Sequence, residues 1–163
     1  SIMYDGSLSK VQTLKNSGKA YVFGFSYMIN YKINNNLNLK SSVSFNQSKD
    51  LSTKLPLRHS SPIFGQTSIN FTKRNIKVSY YINYNGKKDI SNFSPSELNK
   101  LYLYTKDGSP AWLTNNFSFI YNINYLAKIN FSCENIFDIH YRSYSSGISA
   151  PGRNFNIGLN MSF

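Results

Sequence analysis

Apolar residues recur at every second position through most of this chain, and that period of two restricts its fold more than any other feature. In residues 20–33, AYVFGFSYMINYKI, the odd positions hold Tyr21, Phe23, Phe25, Tyr27, Ile29, Tyr31 and Ile33. A helix would spread these side chains around its circumference; a strand turns them all to one face. The alternation continues through Leu37, Leu39, Val43 and Phe45, then Ile69 and Phe71, then Ile76, Val78, Tyr80, Ile82 and Tyr84. It resumes in Leu113, Phe117, Phe119, Tyr121 and Ile123, in Ala127, Ile129, Phe131 and Cys133, and in Phe155, Ile157, Leu159, Met161 and Phe163. The pattern predicts about seven strands, with a weaker candidate in residues 1–15.

The connections alternate in length. Residues 34–36, 73–75 and 124–126 leave room only for tight turns, and their asparagines suit the left-handed conformations of hairpins. Residues 48–62, 86–110 and 140–153 are long, polar and bear Pro and Gly. Short and long links in alternation predict an antiparallel meander with one plain end and one elaborated end. Strands of about ten residues, tilted near 45°, span about 23 Å, close to the ~25 Å apolar band of an outer-membrane barrel.

Composition bears on what surrounds the sheet. Mean hydropathy is -0.38, and no run approaches the ~18 consecutive apolar residues of a membrane helix. Yet the chain carries 13 Tyr and 12 Phe, residues suited to pleated, half-buried surfaces. Lys32, Lys40, Lys77, Lys128 and Glu134 all fall on the polar face of their strands. The central part of the aromatic face carries no charge, and a Lys or Arg there would cost about 2–4 kcal/mol at a bilayer midplane. A soluble antiparallel sandwich also alternates. A sheet in lipid must close, because an open edge leaves backbone groups unpaired. Seven or eight strands either close a small barrel or form one arc of a large one.

The last eight residues, NIGLNMSF, resemble the C-terminal signal by which the barrel-assembly machinery recognises bacterial outer-membrane proteins. Asn156, Gly158, Met161 and Phe163 fill its marked positions. The preceding segment, CENIFDIHYRSYSSGISAPGRNF, resembles the end of TonB-dependent outer-membrane receptors, most of all those of the Bacteroidetes lineage. Its matching residues are Asn135, Ile136, Phe137, Asp138, Tyr141, Arg142, Pro151, Gly152, Arg153 and Phe155. The resemblance extends upstream through NSGKAYVFGFSYMINYKI, LPLRHSSPIFGQTSINF and LYLYTKDGSPAWLTNNFSF, so it covers about residues 16–163.

That resemblance implies an all-β, antiparallel transmembrane barrel of about 22 strands around an N-terminal plug. Residues 1–163 would be the C-terminal portion of the barrel domain, its last seven or eight strands, with no plug domain. It implies a bacterial outer-membrane location, among lipid and lipopolysaccharide, and import of an iron complex such as a ferric siderophore or haem. Energy would come from a TonB-type coupling protein acting through the missing plug, so the chain alone would transport nothing. The chain opens at Ser1 without a signal-peptide pattern, which is expected of a processed chain or of part of a longer one. The alternative is an independent eight-stranded outer-membrane barrel, a pore or an adhesin.

Catalysis has little support. The seven acidic residues are scattered, Cys133 is the only cysteine, and His59 and His140 lie far apart with no evident partner. No nucleophile-elbow, phosphate-loop or zinc pattern occurs, and no cofactor is expected. A net charge of +11 with many aromatics also fits a nucleic-acid stacking platform. That platform interleaves cations and rings on one face, whereas here they lie on opposite faces, so no nucleic-acid partner is expected. The candidate residues therefore lie in the loops. Arg58, His59, Lys87, Lys88, Lys106, Arg142 and Arg153 make the loop end basic, which concentrates an anionic ligand or pairs with lipopolysaccharide. Tyr102, Tyr104, Trp112, Tyr141 and Tyr144 sit near loop ends, either touching ligand or forming an interfacial girdle. The expected ligand-binding set is Arg58, His59, Tyr104, Lys106, Trp112, Arg142, Tyr144 and Arg153.

Overall fold

The computed structural model describes residues 2–9, 18–58 and 60–162. Strands β1 (Ala20–Lys32), β2 (Leu37–Asp50), β3 (Phe64–Lys73), β4 (Ile76–Asn85), β5 (Trp112–Asn122), β6 (Ala127–Glu134) and β7 (Asn154–Met161) form one seven-stranded sheet. Each strand pairs antiparallel with its neighbour in this order, so the meander read from the sequence is the observed topology. Of the weak candidate strand in residues 1–15, the described residues 2–9 do not join that sheet. Ile2–Tyr4 and Ser7–Ser9 make a separate hairpin, and residues 10–17 lie outside the described residues. Among the described residues the large sheet therefore has seven strands and is open between β1 and β7.

The register carries the alternation across all seven strands. Leu37, Phe71, Val78, Phe119, Phe131 and Ile157 stand opposite one another in a single row from β2 to β7. Tyr31, Leu39, Ile69, Tyr80, Phe117, Cys133 and Phe155 form the next. The other parity gives polar rows such as Lys32, Asn38, Asn70, Ser79, Ser118, Ser132 and Asn156. Lys40, Lys77, Lys128 and Glu134 share that polar parity, as the sequence predicts. The polar face bonds to itself, through Asn38 to Asn30 at 2.6 Å, Gln66 to Asn83 at 2.8 Å and Ser79 to Asn70 at 2.8 Å.

Among the described residues no second layer covers the apolar face. Among the described residues the buried hydrophobics are Phe93, Cys133 and Tyr144, while Phe25 is 54% exposed and Ile157 81%. A water-soluble sandwich would bury these rows, at about 1.5–3 kcal/mol per large side chain. Polar groups on the apolar face also satisfy one another. Ser41 and Thr67 share a hydrogen bond of 2.8 Å, and the Tyr80 hydroxyl donates to Asn115 Oδ1. Such pairing is what a surface out of contact with water requires. No helix among the described residues is long and apolar enough to cross a membrane.

The tight turns use asparagine differently from the sequence expectation. Asn34 Oδ1 accepts the N–H groups of Asn36 and Leu37, and Asn124 Oδ1 accepts those of Leu126 and Ala127. The side chain replaces a backbone acceptor, so neither asparagine takes a left-handed conformation. In the β3–β4 turn Arg74 does, at φ 50°, and Asn75 instead donates across to the Asn122 carbonyl at 2.9 Å. All three tight turns lie at one end of the sheet, and the connections 51–63, 86–111 and 135–153 lie at the other.

Candidate functional site

The loop end holds most of the buried side chains. The β6–β7 loop is closed on itself by the residues of the CENIFD and PGR stretches. Asn135 and Asp138 both adopt positive φ, at 49° and 55°, which lets the chain leave β6 sharply. Asn135 is buried: its backbone N–H donates to Asn116 Oδ1 at 2.9 Å, and its side chain bonds the N–H and carbonyl of Ile139. Asp138 Oδ1 accepts the Arg153 N–H at 2.7 Å, joining the two ends of the loop. A Cβ on Gly152 would stand 2.5 Å from that same oxygen, so glycine is what fits.

The β4–β5 loop folds against this frame. Lys88–Asp89 pairs with Gly108–Ser109, and between them lie short turns and one helical turn, Pro95–Leu98. Phe93, 1% exposed, packs edge-on to Tyr104 at 4.7 Å and against Tyr144 at 5.2 Å. The carboxylate of Glu97, 2% exposed, accepts hydrogen bonds from the Tyr104 and Ser145 hydroxyls. The Tyr104 oxygen in turn accepts the Ser145 N–H at 3.1 Å, and Arg142 Nη1 donates to the Leu103 carbonyl at 2.9 Å. Burial, reinforced by the bond to Glu97, holds the Tyr104 phenol well above its ordinary range; burial also raises Tyr144. Trp112 opens β5 and stacks on Tyr141 at 4.2 Å.

The β2–β3 loop joins the same assembly through two hydrogen bonds, one of them from the Gly86 N–H to the Ile63 carbonyl at 2.7 Å. The Lys88 ammonium donates to the Ser60 carbonyl and lies 4.5 Å from the Tyr144 ring centroid. Ser60 Oγ donates to Asn46 on β2 at 3.0 Å. Burial pushes the Lys88 ammonium below its ordinary pKa.

The structure thus brings Tyr104, Tyr144 and Arg142 into one packed unit and places Trp112 on Tyr141 beside it. Tyr104 and Tyr144 fill the interior of the loop body, while Tyr102 is 83% exposed, so these rings do not line up as a girdle. The side chains of Arg58, Lys106 and Arg153 make no hydrogen bond or ion pair among the described residues, and Arg58 and Lys106 are exposed. His59 lies outside the described residues. Of the assembly-signal positions, Asn156 reaches Ser132 Oγ at 3.4 Å, Gly158 sits opposite Asn130 with no room for a Cβ, and Met161 is on the apolar face opposite Ala127. Phe163 lies outside the described residues. Sequence reasoning missed Phe93, Glu97 and the bridging role of Lys88. The stretch FSPSEL carried a signal for the first two: Ser-Pro-x-Glu is how a helical turn begins. No group of three or more His, Cys, Asp or Glu side chains comes together among the described residues.

No protein-family model and no curated protein matches the chain. Solved structures do. One is described as the copper transporter OprC, 15% identical, with a TM-score of 0.72 over 88% of this chain and 23% of that one. Another is the siderophore receptor PiuA from Acinetobacter baumannii, 15% identical, with a TM-score of 0.59 over 87% of this chain and 22% of that one. This chain has the fold of a sector of these transmembrane β-barrels. It spans under a quarter of the length of each receptor chain it matches, so the open seven-stranded sheet corresponds to a sector of a receptor barrel. The structures it resembles are a transporter and a receptor, not enzymes. At this identity the likeness is one of fold, and an apolar outer face is what a barrel of this kind presents to lipid.

Proposed function

We propose that residues 1–163 are the C-terminal portion of the barrel domain of a bacterial outer-membrane receptor that imports a scarce solute, an iron complex such as a ferric siderophore or haem. The tight turns face the periplasm and the three long loops face outward, where lipopolysaccharide surrounds them. The observation that carries the reading is the continuous uncovered apolar face across seven registered strands, in a sheet that superposes on a copper transporter and a siderophore receptor. The basic outer loops, with Arg58, Lys106, Arg142 and Arg153, favour an anionic cargo. Import draws energy from a TonB-type partner acting on a plug that other parts of the protein supply, and the barrel-assembly machinery reads the terminal strand. An independent eight-stranded barrel has less support, because the sheet is open and residues 2–9 lie apart from it.

The test is uptake in cells that carry the whole protein. Deleting its gene should abolish energy-dependent accumulation of radiolabelled iron supplied as one siderophore or as haem, and removing the TonB-type partner should do the same. Unchanged accumulation across a panel of ferric siderophores and haem would reject the cargo assignment.

A further inference from the structure

A pocket of about 580 Å³ lies between the β2–β3 and β4–β5 loops, against the outer end of β2. This is the size range of small-molecule sites, about 300–1,000 Å³. Lys49, Lys54, Lys87 and Lys88 line it, with Asp89 the one acidic residue of the lining. Lys87 and Asp89 pair with each other at 2.7 Å, which leaves the other three ammonium groups. Lys88 is half-buried, and its ammonium has no ion-pair partner among the described residues. It spends one donor on the Ser60 carbonyl. An ammonium has three N–H donors, so capacity remains. Ser48 lines the same pocket, is 7% exposed, and its hydroxyl makes no hydrogen bond. A buried hydroxyl in that state is costly, and a ligand oxygen would relieve it.

We propose that this pocket is an oxyanion site, built to take a small ligand with several carboxylate or phosphate groups on Lys88, Lys54 and the Ser48 hydroxyl, Lys49 lying on the opposite face of β2 from Ser48. The lining offers donors where a metal cation would need acceptors, and its one carboxylate is already engaged. Cation and hydroxyl donors converging on a pocket are the chemistry that recognises oxyanions. The ligand is either a soluble polyanion or a lipopolysaccharide phosphate; the two share this chemistry. The site stands on loop geometry and does not depend on the import assignment.

The test is calorimetric titration of the full-length protein in detergent with inorganic phosphate and with trimesate, a rigid tricarboxylate. Saturable binding is expected that weakens with salt and as pH rises through the depressed pKa of Lys88. Lys88→Gln should weaken it about tenfold, the value of one charge-assisted hydrogen bond. Because Lys88→Gln also removes the Ser60 contact, Lys54→Gln is the second variant: Lys54 is exposed and holds nothing else together, and its loss should cost about threefold. Lys100→Gln, exposed on the β4–β5 loop that carries Lys88 but outside the pocket, should change nothing. Competition by lipopolysaccharide micelles identifies the lipid phosphate as the natural source; its absence identifies a soluble anion, and both keep the site. No binding of either probe, or equal effects of Lys54→Gln and Lys100→Gln, overturns it. Loss of iron uptake assignment with these titrations intact would discard the import reading alone.

Discussion

Asn116 shows what a single side chain does at the loop end. It is 3% exposed, and its carbonyl oxygen is the acceptor for the buried N–H of Asn135, the residue at which the chain turns out of β6. Asn116→Ala leaves that N–H without a partner, which costs about 1–3 kcal/mol. The expected outcome is faster hydrogen exchange at the Asn135 amide and lower unfolding resistance in detergent, with the strands intact. Gly152→Ala should act nearby by another route. Its methyl group would displace the Asp138 carboxylate and free the Arg153 amide, so both ends of the loop should become protease-sensitive. The sequence singled out Asn135, Asp138, Gly152 and Arg153 by resemblance, but not Asn116. It did not disclose that Asp138 and Arg153 meet, because that contact joins positions separated by a whole loop.

At the scale of strands, face assignment is the testable quantity. Phe131 lies mid-strand on β6, between Phe119 and Ile157, and Ser132 lies beside it on the polar face between Ser118 and Asn156. Phe131→Lys should reduce the yield of assembled, heat-modifiable protein in outer membranes, in line with a penalty of about 2–4 kcal/mol, while Ser132→Lys should be tolerated. Similar yields from the two would contradict the assignment. All seven strands were legible, because a period of two survives wherever one face meets an apolar surroundings and the other does not. The exceptions to the pattern were opaque. Ser41, Thr67 and Asn115 break the alternation in three separate strands, and only the register shows that they share one row, with Ile82 between Thr67 and Asn115. The turn asparagines were assigned to the right places with the wrong conformation, since propensity does not distinguish a left-handed backbone from a side-chain acceptor.

For the molecule as a whole, the loops behave as one body, and its stability has a pH edge. The Tyr104 phenol is held above its ordinary value of 10.0, so the folded loops favour its protonated form. A group raised in the folded state contributes stability fully below its unfolded pKa and loses it as pH rises toward the folded one. Tyr104 should therefore add no pH dependence through the neutral range and should loosen the loop body above about pH 10, with cleavage in residues 86–111 preceding any loss of strand signal. Tyr104→Phe should remove the phenol's titration from that alkaline loosening. This packing was the least legible part of the chain: Phe93, Glu97, Tyr104 and Tyr144 come from two loops with no shared period, and nothing local announces that they meet. Its mechanical meaning follows from the Lys88–Ser60 and Glu97–Ser145 links. Three segments stitched together cannot part like separate fingers. They form one awning over that end of the sheet, so lifting any segment means breaking a link that ties it to its neighbour.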